Sequence, residues 1–200
     1  EKQLIGVGGD WQQDDITSTT AFDADSRDNT GVFVEYQGTF GTQQLQASVR
    51  NDDNEQFGNH TTGSVGWGMA FGSGFKLNAS YGTGFKAPTF NDLYYPFFGN
   101  PDLEPESSKS LNVGLAQYAS AWSWTFNVYE TRVDDLISYD AAIFLPNNIE
   151  TARIRGAELT GAMSLAGWDL AAQISHTDPR NRTDGYNHGN VLARRARDTA

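Results

Sequence analysis

Paired carboxylates are the first residues of this sequence whose types and spacing point to chemistry. Two carboxyl groups held on either side of a glycosidic bond can hydrolyse it, and clustered ones can bind calcium. Pairs occur at Asp14–Asp15, Asp52–Asp53 and Asp134–Asp135, and Asp23, Asp25 and Asp28 form a looser group. All of them fall in or beside segments that the sequence pattern predicts to be loops. Solvated acidic loops are therefore the expected structure, with calcium binding the weaker alternative.

The histidines and one glycine-rich segment do not form a recognisable site. His60, His176 and His188 lack the spacing of metal ligands, and no Ser/His/Asp arrangement stands out. Residues 82–86 read Gly-Thr-Gly-Phe-Lys, but Ala-Pro follows where a phosphate-binding loop needs a helix. We therefore predict no catalytic residue, no metal site, no cofactor and no enzymatic activity.

Residues 86–108 are unusually apolar for a segment between strands. They contain four prolines and several aromatic residues, a composition typical of ordered functional loops. Tyr94, Tyr95, Phe97 and Phe98 are candidate ligand-binding residues, because their rings can cover an apolar ligand surface. The alternative is that these rings pack within their own loop.

Alternation of apolar and polar residues is the dominant structural signal. A period of two places one residue class on each face of a β-strand. The pattern is clear in segments such as 31–40, 43–50, 64–71, 75–81, 110–115, 122–129 and 168–175. Residues 4–12 follow it less cleanly, and the pattern changes parity near Gly156, where a β-bulge or a segment outside the lipid would explain it. The sequence predicts an all-β fold of about nine strands.

The connections between these strands alternate in length. Short ones are predicted at 41–42, 72–74, 119–121 and 166–167, and long polar ones at 14–30, 51–61, 86–108, 135–148 and 178–195. Aromatic residues flank the short turns, as they do at a membrane interface. This arrangement is typical of a transmembrane antiparallel β-barrel with short periplasmic turns and long external loops.

Composition excludes several other classes of protein. The 200 residues carry a net charge of -11, which disfavours nucleic acid as a partner, and contain no cysteine. No apolar run is long enough for a transmembrane helix. A soluble β-sandwich also alternates, but the polar faces here carry mainly Gly, Ser, Asn, Gln and Thr, as in a water-filled lumen. Nine strands would leave two open edges, so we expect this chain to be a fragment of a larger barrel.

Two stretches resemble the TonB-dependent receptor family. The first is Tyr81-Gly82-Thr83-Gly84-Phe85-Lys86-Ala87-Pro88, continued by Gly99-Asn100-Pro101-Asp102-Leu103-Glu104-Pro105-Glu106-Ser107-Ser108-Lys109. The second, Ala152-Arg153-Ile154-Arg155-Gly156-Ala157-Glu158, is less specific. Within the family, the chain is most similar to the receptors for cobalamin, a resemblance that runs along nearly its whole length.

The resemblance implies a location and a set of partners. Family members are barrels of 22 strands in the bacterial outer membrane, with an N-terminal plug domain that TonB pulls through a TonB box. We expect residues 1–200 to be part of that barrel domain, with the plug domain and the C-terminal strands outside it. The expected partners are cobalamin or a similar bulky nutrient, outer membrane lipid and lipopolysaccharide, and TonB through the plug. A siderophore or haem receptor, and a passive porin or adhesin barrel, are the alternatives.

The resemblance also adds one site residue. Arg194 matches an arginine that lies near bound ligand in the cobalamin receptors, and its guanidinium can donate to amide and phosphate oxygens. The alternative is that Arg194, Arg195 and Arg197 pair with acidic loops or with lipopolysaccharide phosphates. If cobalamin is the ligand, the rings of Tyr94, Tyr95, Phe97 and Phe98 would contact its corrin ring.

Overall fold

The computed structural model describes residues 2–148, 151–185, 188–192 and 197–199. They form twelve strands and one short helix. The strands are β1 Lys2–Asp15, β2 Ser26–Phe40, β3 Gln43–Asn54, β4 Gly58–Phe71, β5 Phe75–Lys86, β6 Glu106–Tyr118, β7 Trp122–Asp134, β8 Ile137–Asp140, β9 Leu145–Asn148, β10 Ala152–Leu165, β11 Trp168–Asn181 and β12 Asp198–Thr199. The helix, α1, spans Phe90–Tyr94. No helix of the described residues is long and apolar enough to cross a bilayer.

One antiparallel sheet contains almost all of the strands. Its order is β1-β2-β3-β4-β5-β6-β7-β10-β11-β12, so each strand pairs with its neighbours along the chain, and β8 and β9 form a separate hairpin. Nine of the strands in this sheet are 12 to 15 residues long. This length exceeds the 9–11 or so residues that a tilted strand needs to cross a bilayer. The prediction of about nine strands is confirmed.

The connections at the two ends of the sheet differ in length. At one end, which we call the short-turn end, they span 41–42, 72–74, 119–121 and 166–167, as predicted. At the opposite, long-loop end, residues 16–25 and 87–105 connect the strands, and residues 135–148 contain the β8–β9 hairpin. The prediction of a long loop at 51–61 was wrong. There, β3 and β4 pair as far as Asn54 and Gly58, leaving a three-residue turn, 55–57.

The two faces of the sheet differ in chemistry. One face, which we call the outer face, presents large apolar side chains, including Val7, Val34, Val65, Val113 and Ile174, with 39% or more of their surface exposed. Exposed aliphatic rows on this scale need an apolar environment, because water would otherwise cover a continuous hydrophobic patch. The other, lumen face carries small and polar residues, such as Ser48 and Ser64, whose hydroxyl groups bond each other at 2.8 Å.

The parity change near Gly156 has a simple cause in the structure. β10 pairs without interruption with β7 from Ala152 to Met163 and with β11 from Ala152 to Leu165, so a bulge is excluded. What changes is the residue class on each face. Leu159 and Met163 lie on the outer face, and Arg153 and Arg155 continue that same face toward the long-loop end. This supports the other interpretation, a segment beyond the lipid.

The first testable prediction concerns the two faces of the wall. Val65→Lys places a charge on the outer face, where it should lower the free energy of unfolding by about 2–4 kcal/mol if that face meets hydrocarbon. Gln46→Lys is the matched control, because Gln46 lies on the lumen face opposite Gly66, the neighbour of Val65. Denaturant titration of the natural protein in lipid vesicles measures both variants. Equal losses would instead indicate a soluble β-sandwich.

Candidate ligand-binding site

The long loop at residues 87–105 is built around a small buried core. α1 begins with a capping box, in which Thr89 and Asp92 bond each other's backbone amides. Leu93 and Leu103 are 1% and 3% exposed, and Pro88 is also buried. Burial of these three apolar side chains shows that the segment is an ordered structure and not a solvated linker.

Arg27 of β2 holds this loop against the sheet. Its Nη1 donates to the carbonyl oxygen of Pro88 at 3.0 Å, and its Nη2 lies 3.4 Å from a carboxylate oxygen of Asp14. The guanidinium also faces the rings of Phe57 and Phe90, at 5.9 and 5.1 Å. Only 9% of Arg27 is exposed, and a desolvated cation–π contact contributes about 2 kcal/mol. A buried arginine of β2 therefore joins the end of β1, the 55–57 turn and the 87–105 loop.

Hydrogen bonds also join the 87–105 loop to the β8–β9 hairpin. The side chain of Asn148 accepts from the amide of Glu104 and donates to the carbonyl oxygens of Glu104 and Asp135, each at 2.8 Å. Asn100 donates to the carbonyl oxygen of Pro146 at 2.9 Å, and Glu106 accepts from the amide of Ile137 at 3.0 Å. The two long loops therefore behave as one unit.

The four aromatic residues predicted from this loop have different environments. Tyr94 is half-buried, and its hydroxyl accepts a hydrogen bond from Gln56. Tyr95, Phe97 and Phe98 are exposed. Packing within their own loop, the alternative considered from the sequence, therefore does not account for these three rings.

Phe97 is the most informative of them. Its side chain is completely exposed, and its backbone φ is +63°, in the left-handed region that a bulky residue rarely adopts. Hydrogen bonds on either side hold this conformation, from the amide of Phe98 to Tyr95 at 3.0 Å and from that of Asn100 to Asp92 at 2.7 Å. A fixed, strained and exposed aromatic residue is typical of ligand contacts.

Other loops contribute aromatic residues that the sequence analysis missed. Phe98 stacks on Tyr139 of β8, with ring centroids 6.1 Å apart, and Tyr95 meets Phe22 edge-on at the same distance. Ile143 and Phe144 are exposed in the turn between β8 and β9. The sequence did contain a signal for these residues, because they are large apolar residues in otherwise polar loops. Only the structure shows that rings from separate loops meet, Phe22 with Tyr95 and Tyr139 with Phe98. We call these four rings, together with the exposed Phe97 of the same loop and Phe144 of the β8–β9 turn, the aromatic surface.

A charged network lies on the lumen face near the same end of the sheet. Both terminal nitrogens of Arg50 donate to Asp10, at 2.7 and 2.9 Å, and its Nε donates to Asp52 at 2.9 Å. Asn29 donates to Asp52 at 2.9 Å. Gly31 lies beneath the guanidinium, and any Cβ there would come within 1.9 Å of it. The network gives the lumen a polar, hydrogen-bonding surface near the aromatic loops.

Arg194 and metal binding remain to be considered. Arg194 lies outside the described residues, so the structure does not place it. Within residues 2–148, 151–185, 188–192 and 197–199, no three His, Asp or Glu side chains are grouped as a metal site requires.

Comparison with known proteins identifies what this arrangement resembles. The family model described as "TonB dependent receptor-like, beta-barrel" matches residues 2–200. The vitamin B12 transporter BtuB of Photobacterium profundum is 34% identical over 206 residues, covering 98% of this chain and 33% of the relative. That of Vibrio vulnificus is 33% identical over 202 residues, covering 97% and 32%. The chain thus spans about a third of the length of these curated relatives.

Solved structures share the fold at lower sequence identity. The siderophore receptor PirA from Pseudomonas aeruginosa superposes with a TM-score of 0.76 at 20% identity, over 88% of this chain and 37% of that one. The FrpB iron transporter from Neisseria meningitidis (F3-3 variant) gives 0.72 at 13% identity, over 90% and 33%. At these identities the likeness concerns the fold alone.

The second testable prediction concerns the coupling of the two long loops. Asn148→Ala removes three hydrogen bonds, so the free energy of local opening at residues 87–105 should fall by about 1–3 kcal/mol. Amide hydrogen exchange measures this loss, and exchange in the paired strands should not change. Asn147→Ala is the control, because the side chain of Asn147 donates to Asp140 inside the hairpin, at 3.3 Å. Unchanged exchange at residues 87–105 in Asn148→Ala would show that the loops are held together by other contacts.

Proposed function

The chain belongs to the TonB-dependent receptor β-barrel family, and from that membership we propose that it forms part of an outer membrane receptor for the active uptake of cobalamin. This family consists of transporters and receptors, not enzymes. In the proposed arrangement, the outer face meets lipid, the long-loop end faces the outside of the cell, and the lumen is the transport path. The plug domain and its contact with TonB belong to parts of the receptor beyond these residues.

The observation that carries the proposal is the aromatic surface on two coupled long loops. A ligand too large for an open pore must first be captured by external loops. Exposed rings at Tyr95, Phe97 and Phe98 offer a rigid apolar contact surface at low entropic cost, because each ring has only two side-chain torsions. The polar network around Arg50 supplies donors and acceptors on the lumen side. A large ligand with one apolar face and many amide groups, such as cobalamin, fits this combination of an apolar surface on the loops and a polar surface in the lumen.

Identity of the ligand is supported by the sequence relatives rather than by the fold. The relatives at 33–34% identity are both named vitamin B12 transporters. The structures named for siderophores or iron are 20% identical or less, so they favour a second candidate, an iron chelate receptor, only through shared architecture. A titration of the natural protein with cobalamin and with ferric siderophores in parallel distinguishes the two.

The third testable prediction concerns the aromatic surface. Phe97→Ala should weaken cobalamin binding by about 1–2 kcal/mol, the scale for losing a buried aromatic contact. Stability should not fall, because the ring packs against nothing in the free protein. Phe40→Ala, an aromatic residue beside a short turn, is the matched control and should bind normally. Equilibrium binding to the natural receptor is the measurement, and undiminished affinity in Phe97→Ala would remove this ring from the site.

The fourth testable prediction concerns Arg194. Arg194→Ala should weaken cobalamin binding by roughly 1–3 kcal/mol, the scale for losing hydrogen bonds that involve a charged partner. Arg197→Ala is the control, since Arg197 lies 3.8 Å from Asp178 on the outer face. If both variants bind cobalamin as the natural protein does, the guanidinium at Arg194 contributes nothing to the site. If the unsubstituted protein binds an iron chelate and not cobalamin, the second candidate replaces the first.

A further inference from the structure

Four basic residues form one row across the outer face. Lys109 of β6 pairs with Arg132 of β7, Arg132 pairs with Arg153 of β10, and Arg153 pairs with Arg180 of β11. Residues directly opposite each other across strands lie on the same face, with Cβ atoms about 4.5–5.5 Å apart. Arg155 lies two residues along β10, on the same face. We call these five residues the outer basic patch.

The patch is notable in a chain of this charge. The sequence has 14 Lys and Arg against 25 Asp and Glu, yet five of those 14 side chains gather here. Like charges directly opposite each other in a sheet are destabilising. A row of four cations therefore has an energetic cost that an anion on this face would remove.

The carboxylates of Glu130, Asp134 and Asp178 lie on this face beside the patch, and they do not balance its five cations. Asp134 accepts a hydrogen bond from Thr151 at 3.1 Å. Glu130 is shared between Arg132 at 2.9 Å and Arg155 at 2.5 Å. Asp178 is shared between Arg180 at 2.6 Å and Arg197 at 3.8 Å. Arg132 and Arg155 nevertheless leave 61% and 51% of their side chains exposed, so both keep donors directed away from the protein. Among the residues that the structure describes, Lys109 has no ion-pair partner within 4.0 Å.

The position of the patch matches the edge of a bilayer. On β7, outer-face positions run Trp122, Trp124, Phe126 and Val128 before the first charged residue, Glu130. At about 3.4 Å per residue, Arg132 lies roughly 34 Å along the strand from Trp122. A strand tilt of about 45° reduces this to roughly 24 Å of height, close to the 25 Å of a barrel's apolar band. Arg155 pairs with Glu130 and so lies two residues lower than Arg132. The cations thus lie around the upper edge of the apolar wall, close to the level of lipid headgroups and at the long-loop end.

We propose that the outer basic patch binds the phosphate groups of lipid A, the glycolipid anchor of lipopolysaccharide, in the outer leaflet. Guanidinium groups suit this task, because their planar donors pair with phosphate oxygens in a bidentate manner. The apolar rows below the patch, ending in Leu111 and Val128, would contact the acyl chains of the same molecule. The inference rests on the proposed outer membrane setting, and it adds a lipid site on the side of the wall facing away from the transported nutrient.

The test is a lipid-binding titration of the natural protein in detergent. Bisphosphorylated lipid A is the probe, and lipid A stripped of phosphate is compared with it. Substituting Lys109, Arg132 and Arg153 together by Gln should weaken binding of the phosphorylated lipid about tenfold to a hundredfold, the scale for three charges near an anionic surface. Binding of the stripped lipid should be weak and unchanged by the substitutions. Glu130 keeps Arg155 as its partner in this variant, so its carboxylate is not left unpaired.

A control substitution at the same end of the sheet tests whether lipid A binding depends on the outer face alone. Lys86→Gln removes one cation at the lumen side, where Lys86 lies 3.3 Å from Glu106, and should leave lipid A binding unchanged. The single substitution Lys109→Gln, on the outer face, should weaken it by itself. Arg153→Lys keeps the charge and should retain most of the affinity. If the triple variant does not fold, the lipid A affinities of these single variants test the proposal instead.

Three outcomes would overturn the lipid site. They are undiminished binding by the triple variant, an equal loss in Lys86→Gln, and equal competition by phosphatidylglycerol, which would indicate a generic anionic surface. Cobalamin binding is measured on the same samples and should be unaffected by the triple substitution. Failure of the unsubstituted protein to bind cobalamin, with phosphate-dependent lipid A binding intact, would count against the proposed function alone.

Discussion

Backbone hydrogen bonding is the constraint on which the rest of this structure depends. Hydrocarbon offers no partner for an amide or a carbonyl group, so a strand that crosses it must find every partner in its neighbours. Seven of the nine long strands meet this condition with a long neighbour on each side, whereas β1 and β11 have a long neighbour on one side only among the described residues. Uninterrupted pairing in turn fixes which residues face lipid and which face the lumen, because a slip of one residue would exchange the two faces. Glycines support the ladder where a large side chain must lie flat on the lumen face, as Tyr129 does over Gly156.

The same constraint explains how far the sequence predicted the fold. Between the short turns and the lipid edge, one face must be apolar and the other wet, so alternation marks each strand and locates turns such as 72–74. Beyond the lipid edge, both faces are polar. At Asn51–Asn54 every residue is hydrophilic, and the strand continues without any pattern to reveal it. The parity change in β10 has the same origin, since Arg153 and Arg155 occupy outer-face positions where Leu159 and Met163 stand lower in the wall.

Only the residues of the candidate site that lie within one loop were predictable from the sequence. An excess of aromatic residues in one loop can be read from composition, and three of the four rings predicted there are exposed. The contacts that orient them join residues far apart in sequence: Asn148 bonds Glu104 across 44 positions, and Arg27 reaches Pro88 across 61. No local pattern encodes such pairs. Gln56 shows this most clearly, since its bond to Tyr94 depends on the short turn that the sequence analysis took for a long loop.

The two faces of the wall differ in how far their arginine side chains are neutralised by carboxylates. On the lumen face, Arg50 is enclosed by Asp10 and Asp52, so its charge is fully compensated within the protein. On the outer face, Arg132, Arg155 and Arg180 share two carboxylates, and Lys109 adds a further cation. In the proposed setting, a lumen that passes an uncharged or amphipathic nutrient gains from internal compensation, because a strong field would trap counterions there. An outer surface next to phosphorylated lipid, as we propose for the outer basic patch, gains from the opposite arrangement, because the membrane would supply its counterions. The local cluster of cations at one end of the outer face is therefore what the two proposed environments require.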